Sequence, residues 1–478
     1  MHTRLTMISG IIIAGTSSGS GKTTIATGIM AALSQKYTVQ AFKVGPDFID
    51  PTHHTAITNR ASRNLDTYMM GEQGVIVSFN HAASDADIAV VEGVMGLFDG
   101  LEGELASTAH VAKTLHLPVI LVVDAKGMGQ SAAAVINGYA SFDPQLSLGG
   151  VILNRVGSPR HTNIITEALR KAHINIPVIG AVPKNPQIHT PSRHLGLQMA
   201  YETTASSEAP QLARIIREHV DLEQLMEIAK TADTPEIAVK KEETASLQKL
   251  SLYTKCAVPE MAVEKEETAS QVRDVNIGIA FDESFCFYYQ DTFDHLRRYA
   301  QLKFFSPMKE ELPNVDGLYL GGGYPELYAE ELSKSSSREQ IKKAACDGMP
   351  IYGECGALLY LGKTLEVDHN TYSMCGVFDA RSRMAGRLQA LGYTNAHTIN
   401  DNILTKKGAT LLGHEFHYST TSCEHDQRFA YEMKRGKGVS EGFDGLIYER
   451  ALASYTHTHP ANTPFDGFIE QCKKYKRE

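Results

Sequence analysis

Residues 11–30, IIIAGTSSGSGKTTIATGIM, decide how the chain is read. Three successive isoleucines running into small residues suit a strand buried on both faces, and the segment after Lys22 suits the first turns of a helix. Between them lies a loop of Gly, Ser and Thr. Gly15 and Gly21 bracket five residues before Lys22 and Thr23, one more than in the common G-x-x-x-x-G-K-[ST] loop. The physics survives the extra residue. Gly15, Thr16, Gly19 and Gly21 let backbone N–H groups close around a phosphate, and the helix N-terminus adds positive potential at Thr23 and Thr24. Lys22 reaches the β- and γ-phosphates and Thr23 ligates Mg²⁺. ATP and Mg²⁺ are the expected cofactors. A Gly/Ser turn alone would explain the glycines but not a buried strand followed by Gly-Lys-Thr-Thr.

Outward from this loop, GIIIAG, VQAFKVG, DIAVVEG, PVILVVDA, GGVILNRV and IPVIGAVP are short apolar runs separated by helix-length spacers. That rhythm predicts a parallel sheet covered on both faces, hence an α/β domain. A metal-bound nucleotide needs a carboxylate at the end of a neighbouring strand, and IAVVEG places Glu92 there as the expected Mg²⁺ ligand. Asp99 follows seven residues later. KVGPDFIDP adds Lys43, Asp47 and Asp50, with Asp47 a second metal candidate. All sit on loops at strand C-termini, where open α/β sheets bind ligands. Asn154 and Arg155, ending GGVILNRV, either reach the base of the nucleotide or simply turn the strand end.

At 478 residues the chain exceeds one ordinary core and calls for two to four domains. Its apolar runs fall short of the roughly 20 residues that span a bilayer, and the N-terminal one is too short for a signal peptide. A cytoplasmic protein is expected. The net charge of −9 argues against nucleic acid as the main partner. All seven cysteines fall in the second half with no C-x-x-C pair, so reduced thiols are expected, one of them a nucleophile. The expected division is residues 1–229, a linker over 230–273, and a second α/β domain over 274–478. Within the linker PEIAVKKEETAS (235–246) recurs as PEMAVEKEETAS (259–270), a duplication at an offset of 24 residues with ten of twelve positions identical and little to bury.

In the second domain, PIYGECGALLYLG reads as a buried strand, a tight turn and a helix. Gly353 and Gly356 permit a strained elbow, and Cys355 stands at a helix N-terminus that favours its thiolate. Upstream, LYLGGGYPEL ends a strand in glycines whose N–H groups, at Gly322 and Gly323, suit an oxyanion. The base should be a late histidine, and two stretches compete: LLGHEFHYS, with His414 and His417, and ASYTHTHPA, with His457 and His459.

Taken in order, GTSSGSGKTT, KVGPDFIDP, VEGVMGLFDG, GGGYPEL, GECGALLYLG, LGY, GHEFHYS and ASYTHTH closely resemble the cobyrinate a,c-diamide synthase family, which includes the nickel-sirohydrochlorin a,c-diamide synthases. The resemblance covers nearly the whole chain apart from the duplicated linker. It implies a P-loop amidoligase domain related to dethiobiotin synthetase, followed by a class I glutamine amidotransferase domain. It further implies Cys355 as the nucleophile on glutamine and His457, after Tyr455, as the base, with no clear counterpart for the third triad carboxylate. In the first domain it implies ATP-driven activation of tetrapyrrole carboxylates as acyl phosphates, with Asp47, Phe48, Asp50 and Asp99 near substrate and metal. A homodimer is compatible with it, and no membrane or nucleic-acid partner is implied. Cobyric acid synthase-like amidation of other side chains and a partitioning or carrier ATPase are the rival readings; GHEFHYS and KVGPDFIDP favour the a,c-diamide branch, and the Gly-Glu-Cys-Gly domain disfavours an ATPase switch.

Overall fold

The computed structural model describes residues 8–184, 205–235, 275–423 and 427–477. The chain groups into two compact units, Met1–Glu264 and Lys265–Glu478. Apart from Pro235, the duplicated segment lies outside the described residues.

The first unit is built on a seven-stranded sheet: β1 (Gly10–Gly15), β2 (Val39–Val44), β3 (Arg63–Leu65), β4 (Ile88–Glu92), β5 (Val119–Asp124), β6 (Leu148–Val156) and β7 (Val178–Pro183). Their spatial order is β3-β2-β4-β1-β5-β6-β7, and every pairing is parallel. Ile11, Ile12 and Ile13 are all fully buried, because helices cover both faces of β1. Each such side chain contributes about 1.5–3 kcal/mol on burial. Ile11 and Ile13 pack with Ile25 and Ile29 of the helix Lys22–Leu33, which anchors the phosphate loop at both ends. The apolar runs of the sequence coincide with six of the strands. The seventh, β3, is a polar Arg-Asn-Leu with no alternation to reveal it. It is a short edge strand paired only to β2, and its Asn64 donates to the carbonyls of Gly45 (2.8 Å) and Asp47 (2.7 Å), holding the loop after β2.

The second unit contains β8 (Val275–Ala280), β9 (Ala300–Phe305), β10 (Gly317–Leu320), β11 (Ile351–Glu354), β12 (Thr364–Val367), β13 (Asn370–Ser373), β14 (Ala380–Met384), β15 (Ala390–Thr398), β16 (Thr410–His417), β17 (Ser419–Cys423), β18 (Arg428–Arg435), β19 (Phe443–Tyr448), β20 (Ala451–Ser454) and β21 (His457–Thr458). The larger sheet runs β21-β16-β15-β18-β19-β20-β11-β10-β8-β9. From β9 to β20 its strands are parallel, and beyond β20 they alternate. A smaller sheet, β13-β12-β14-β17, stands apart. The parallel centre brings the loops after β10 and β11 to one end, and the antiparallel extension returns β21 beside β16. Both units are α/β, as the sequence predicts.

Candidate active sites

At the end of β1 the phosphate loop is shaped by close backbone approach. A Cβ on Gly21, at φ 92°, would lie 2.1 Å from the side-chain nitrogen of Asn154, so only glycine fits. That nitrogen donates to the carbonyl of Ser20 at 2.9 Å. Asn154 thus braces the loop from β6, and the neighbouring Arg155 pairs with Asp124 at 2.6 Å.

Glu92 ends β4 beside Ile13 of β1 and opposite Lys43 of β2 in register. Its Oε1 accepts from the Thr23 hydroxyl (2.5 Å) and from Lys43 Nζ (2.8 Å), and its Oε2 lies 2.8 Å from His54 Nε2. Lys43 Nζ also sits 2.6 Å from Asp50 Oδ2. Asp50 and His54 fall one turn apart on the helix Asp50–Thr58, so a single helix face delivers an acid and an imidazole to the same buried place. Lys43, Asp50, His54 and Glu92 are all buried. Burial alone would lower the lysine pKa, but Asp50, Glu92 and Asp47 outweigh it and hold the ammonium above its ordinary range. Burial likewise pushes Glu92 up, and Lys43 and His54 reverse the sign, so the carboxyl titrates below its ordinary value.

The Thr23 hydroxyl and the Glu92 carboxylate are hard oxygen donors of the kind that suit Mg²⁺, which takes one or two protein ligands and completes its shell with phosphate and water. Asp47 and Asp50, which share one sequence motif, do different work. Asp47 Oδ1 accepts from the N–H groups of Ile49 (2.8 Å) and Asp50 (3.0 Å), fixing the turn into the helix, whereas Asp50 faces Lys43. Phe48 is half-buried between them. Asp99 Oδ2 accepts from Gly96 N–H at 2.9 Å and shapes the loop after β4.

In the second unit Cys355 follows β11 with φ 48° and ψ −100°, a conformation that L-residues adopt at a cost. Its N–H donates to the Ser454 carbonyl at 2.7 Å, tying the elbow to β20. The short helix Gly356–Leu361 begins immediately after it. A Cβ on Gly356 would come within 3.1 Å of Gly323 N, so the glycine loop after β10 lies against the elbow. A Cβ on Gly322 would meet His457 Cε1 at 2.4 Å and Nε2 at 3.2 Å, which puts that edge of the imidazole against the same loop. Cysteine, glycine loop and His457 therefore converge.

The two histidine stretches that compete in the sequence are neighbouring strands. His414 pairs with His457 in the β16–β21 register, and their rings stack at 4.8 Å and 8°. Burial, then the charge of His457, holds the His414 pKa well below the usual imidazole value, and Tyr289 bonds His414 Nε2 at 2.8 Å. His417 stacks on Tyr455 with its Nδ1 2.9 Å from the Ser419 carbonyl, and His459 packs against Tyr289. One expectation is reversed. The helix N-terminus was expected to favour the thiolate, but burial and then the nearby charge of Glu326 push the Cys355 thiol up. The helix is only six residues long, and its field is outweighed.

Lys43, read in the sequence only as part of a loop motif, joins the centre of the first site. His54 went unseen, although its spacing of four from Asp50 on a helix was a readable signal. Glu354 was read only as part of the Gly-Glu-Cys-Gly turn.

Two family models match the chain in tandem: the CobQ/CobB/MinD/ParA nucleotide binding domain over residues 11–197 and the CobB/CobQ-like glutamine amidotransferase domain over residues 276–465. The chain is 43% identical over 461 residues to the cobyrinate a,c-diamide synthase of Listeria monocytogenes serotype 4b, covering 94% of this chain and 96% of that one. It is 41% identical over 465 residues to the Methanobrevibacter smithii protein of the same name, covering 95% and 96%. To that of Caldanaerobacter subterraneus subsp. tengcongensis it is 40% identical over 478 residues, covering 98% and 99%.

Proposed function

The chain belongs to the cobyrinate a,c-diamide synthase family, and from that premise we propose that it converts the a and c acetate side chains of a tetrapyrrole to amides with ATP and glutamine. One observation carries the reading: a single chain holds both a phosphate loop whose Thr23 meets a buried strand-end carboxylate and a strained cysteine elbow packed against a glycine loop and a histidine.

A carboxylate is a poor acyl donor because its leaving group would be oxide. Transfer of the ATP γ-phosphoryl to a side-chain carboxylate oxygen gives an acyl phosphate and ADP. Ammonia then adds to the acyl carbon, the bond to the phosphate oxygen breaks, and phosphate departs. Gly15, Thr16, Gly19, Gly21 and Thr24 enclose the phosphates and Lys22 spreads their charge. Mg²⁺, held through Thr23 and Glu92 with Asp47 nearby, would neutralise phosphate charge during transfer. Asp47, Phe48 and Asp99 lie on the loops after β2 and β4, where the macrocycle rim would rest, and Asp50 would act from behind them through Lys43.

In the second unit Cys355 Sγ attacks the glutamine carboxamide carbon as its proton passes to His457. The carbon–nitrogen bond breaks, His457 returns the proton to the nitrogen, and ammonia leaves; the oxyanion is met by N–H groups of Gly322 and Gly323. Water, deprotonated by His457, adds to the thioester carbon, the carbon–sulfur bond breaks, and His457 returns the proton to Cys355 Sγ as glutamate leaves. The high pKa of the thiol suits this order, since sulfur loses its proton only as it attacks. We assign the ligase to residues 1–229, the amidotransferase to 274–478 and the linker to 230–273, in a cytoplasmic enzyme.

The a and c acetates are similarly placed on cobyrinate and on nickel sirohydrochlorin, and ligase chemistry acts only there, so the periphery rather than the central metal is what the site reads. Protein, ATP, Mg²⁺ and glutamine, incubated separately with each macrocycle, should give two amides on each by mass spectrometry. Turnover of one macrocycle alone would refute shared recognition. Amidation of neither would overturn the function.

A further inference from the structure

Directly before the nucleophile, Glu354 ends β11 with its side chain buried. Its Oε2 lies 3.7 Å from His457 Nδ1. The Cε1–Nε2 side of the same ring lies against the Gly322 position on the glycine loop, with Cε1 the nearer atom. The imidazole is therefore oriented with one nitrogen toward a carboxylate and the other toward the loop that also abuts the cysteine elbow.

Glu354 is itself immobilised. Oε1 accepts from the Tyr352 hydroxyl (2.7 Å), from Thr458 N–H (3.0 Å) and from the Thr458 hydroxyl (2.9 Å), and Oε2 accepts from the Tyr319 hydroxyl (3.0 Å). Tyr319 and Tyr352 are held neutral by burial and by the Glu354 charge, so they remain donors throughout the working pH range. Thr458 immediately follows His457, which ties the carboxylate to the strand that carries the base. A carboxylate fixed by four donors, with one oxygen turned to Nδ1, is the arrangement that selects the Nδ1–H tautomer and stabilises an imidazolium.

We propose that Glu354 is the positioning residue of the cysteine site: it holds His457 with Nε2 facing the thiol and balances the positive charge that forms when His457 takes the proton. The inference rests on the reading of Cys355 and His457 given above, and supplies the carboxylate that their sequence motif lacks. Other titratable groups facing this place are His414 on β16, Tyr289 that bonds it, and Asp444 on β19, which binds the Tyr455 and Thr456 N–H groups (3.0 and 3.1 Å).

The test measures glutamine hydrolysis by the full chain. Cys355→Ala and His457→Ala serve as controls on the underlying reading; if either keeps wild-type hydrolysis, that reading fails irrespective of Glu354. Glu354→Gln should lower kcat about 10²-fold with KM changed less than about threefold. The acidic limb of its pH profile should move to lower pH, since the imidazolium loses its counter-charge. In the His457→Ala background the same substitution should cost nearly nothing, because a residue acting through His457 has no further effect once it is gone. Equal losses in both backgrounds, or wild-type kcat with an unmoved pH profile, overturn the proposal. If Glu354→Gln lowers the unfolding temperature of the second unit, Tyr319→Phe, which frees Oε2 while keeping the charge, should reduce kcat several-fold; an unchanged kcat there counts against it equally.

Discussion

At the end of β4, Glu92 is buried among an ammonium, an imidazole and a hydroxyl, and its carboxyl titrates low; at the end of β11, Cys355 is buried with carboxylates as the charges that bear on it, and its thiol titrates high. The same burial acts on each. The sign of the neighbouring charge decides whether the group is held ionised or held in reserve. Glu92 is thus held ionised, whereas the Cys355 thiol is held protonated.

Five perturbations would break or sharpen the contrast. The largest effect should come from Lys22→Ala, which ought to abolish product with glutamine and with free ammonia while leaving glutamine hydrolysis measurable; product formed from ammonia would mean that ATP does not activate the carboxylate. Cys355→Ala should eliminate glutamine-dependent amidation yet spare the reaction fed by ammonia at high pH, and equal loss with both nitrogen sources would end the two-site reading.

Asp50→Asn leaves Lys43 with one carboxylate fewer in a buried place, where breaking an ion pair costs about 3–5 kcal/mol. Hydrogen exchange in peptides covering β2 and β4 should accelerate accordingly, and unchanged protection would show that the pair contributes nothing. The pH window follows from the shifts. Glu92 is depressed in the folded state, so its contribution is present above the ordinary 4.5 and is lost as pH falls through the folded value. Lys43 is raised, so its contribution is complete below 10.5 and is lost as pH rises through its folded value. Protection of β2 and β4 should therefore fade as pH falls below 4.5 and again as pH rises above 10.5.

Glu326 should give a smaller effect of opposite sense in the second unit. Burial raises its carboxyl to about 7, and its charge helps to raise the Cys355 thiol. Glu326→Gln removes that charge, so alkylation of Cys355 at pH 8, followed by peptide mass spectrometry, should speed up several-fold. The smallest change is expected from deleting residues 247–270, one copy of the duplication, because altering loop length costs little free energy. A large drop in thermal stability or turnover would show that the segment packs on a domain.

Local features were legible because they rest on local physics. The phosphate loop, the strand-end position of Glu92, the glycine-flanked elbow at Cys355 and six strands of the first sheet follow from residue size, backbone freedom and apolar runs over a few neighbours. By the same rule β3 was hidden, since an edge strand of three residues needs neither alternation nor an apolar run. What the sequence by itself determined, then, was that the first half carries a phosphate loop at the end of a buried strand and the second a glycine-flanked cysteine elbow. Only the tertiary structure decided which groups meet: Lys43 and His54 on Glu92, His414 against His457, and Glu354 behind His457. Those meetings depend on sheet register and on helix faces packed across large separations in sequence, and buried electrostatics are set by such neighbours, so no local pattern records whether a carboxylate will stand free or a thiol will stay protonated.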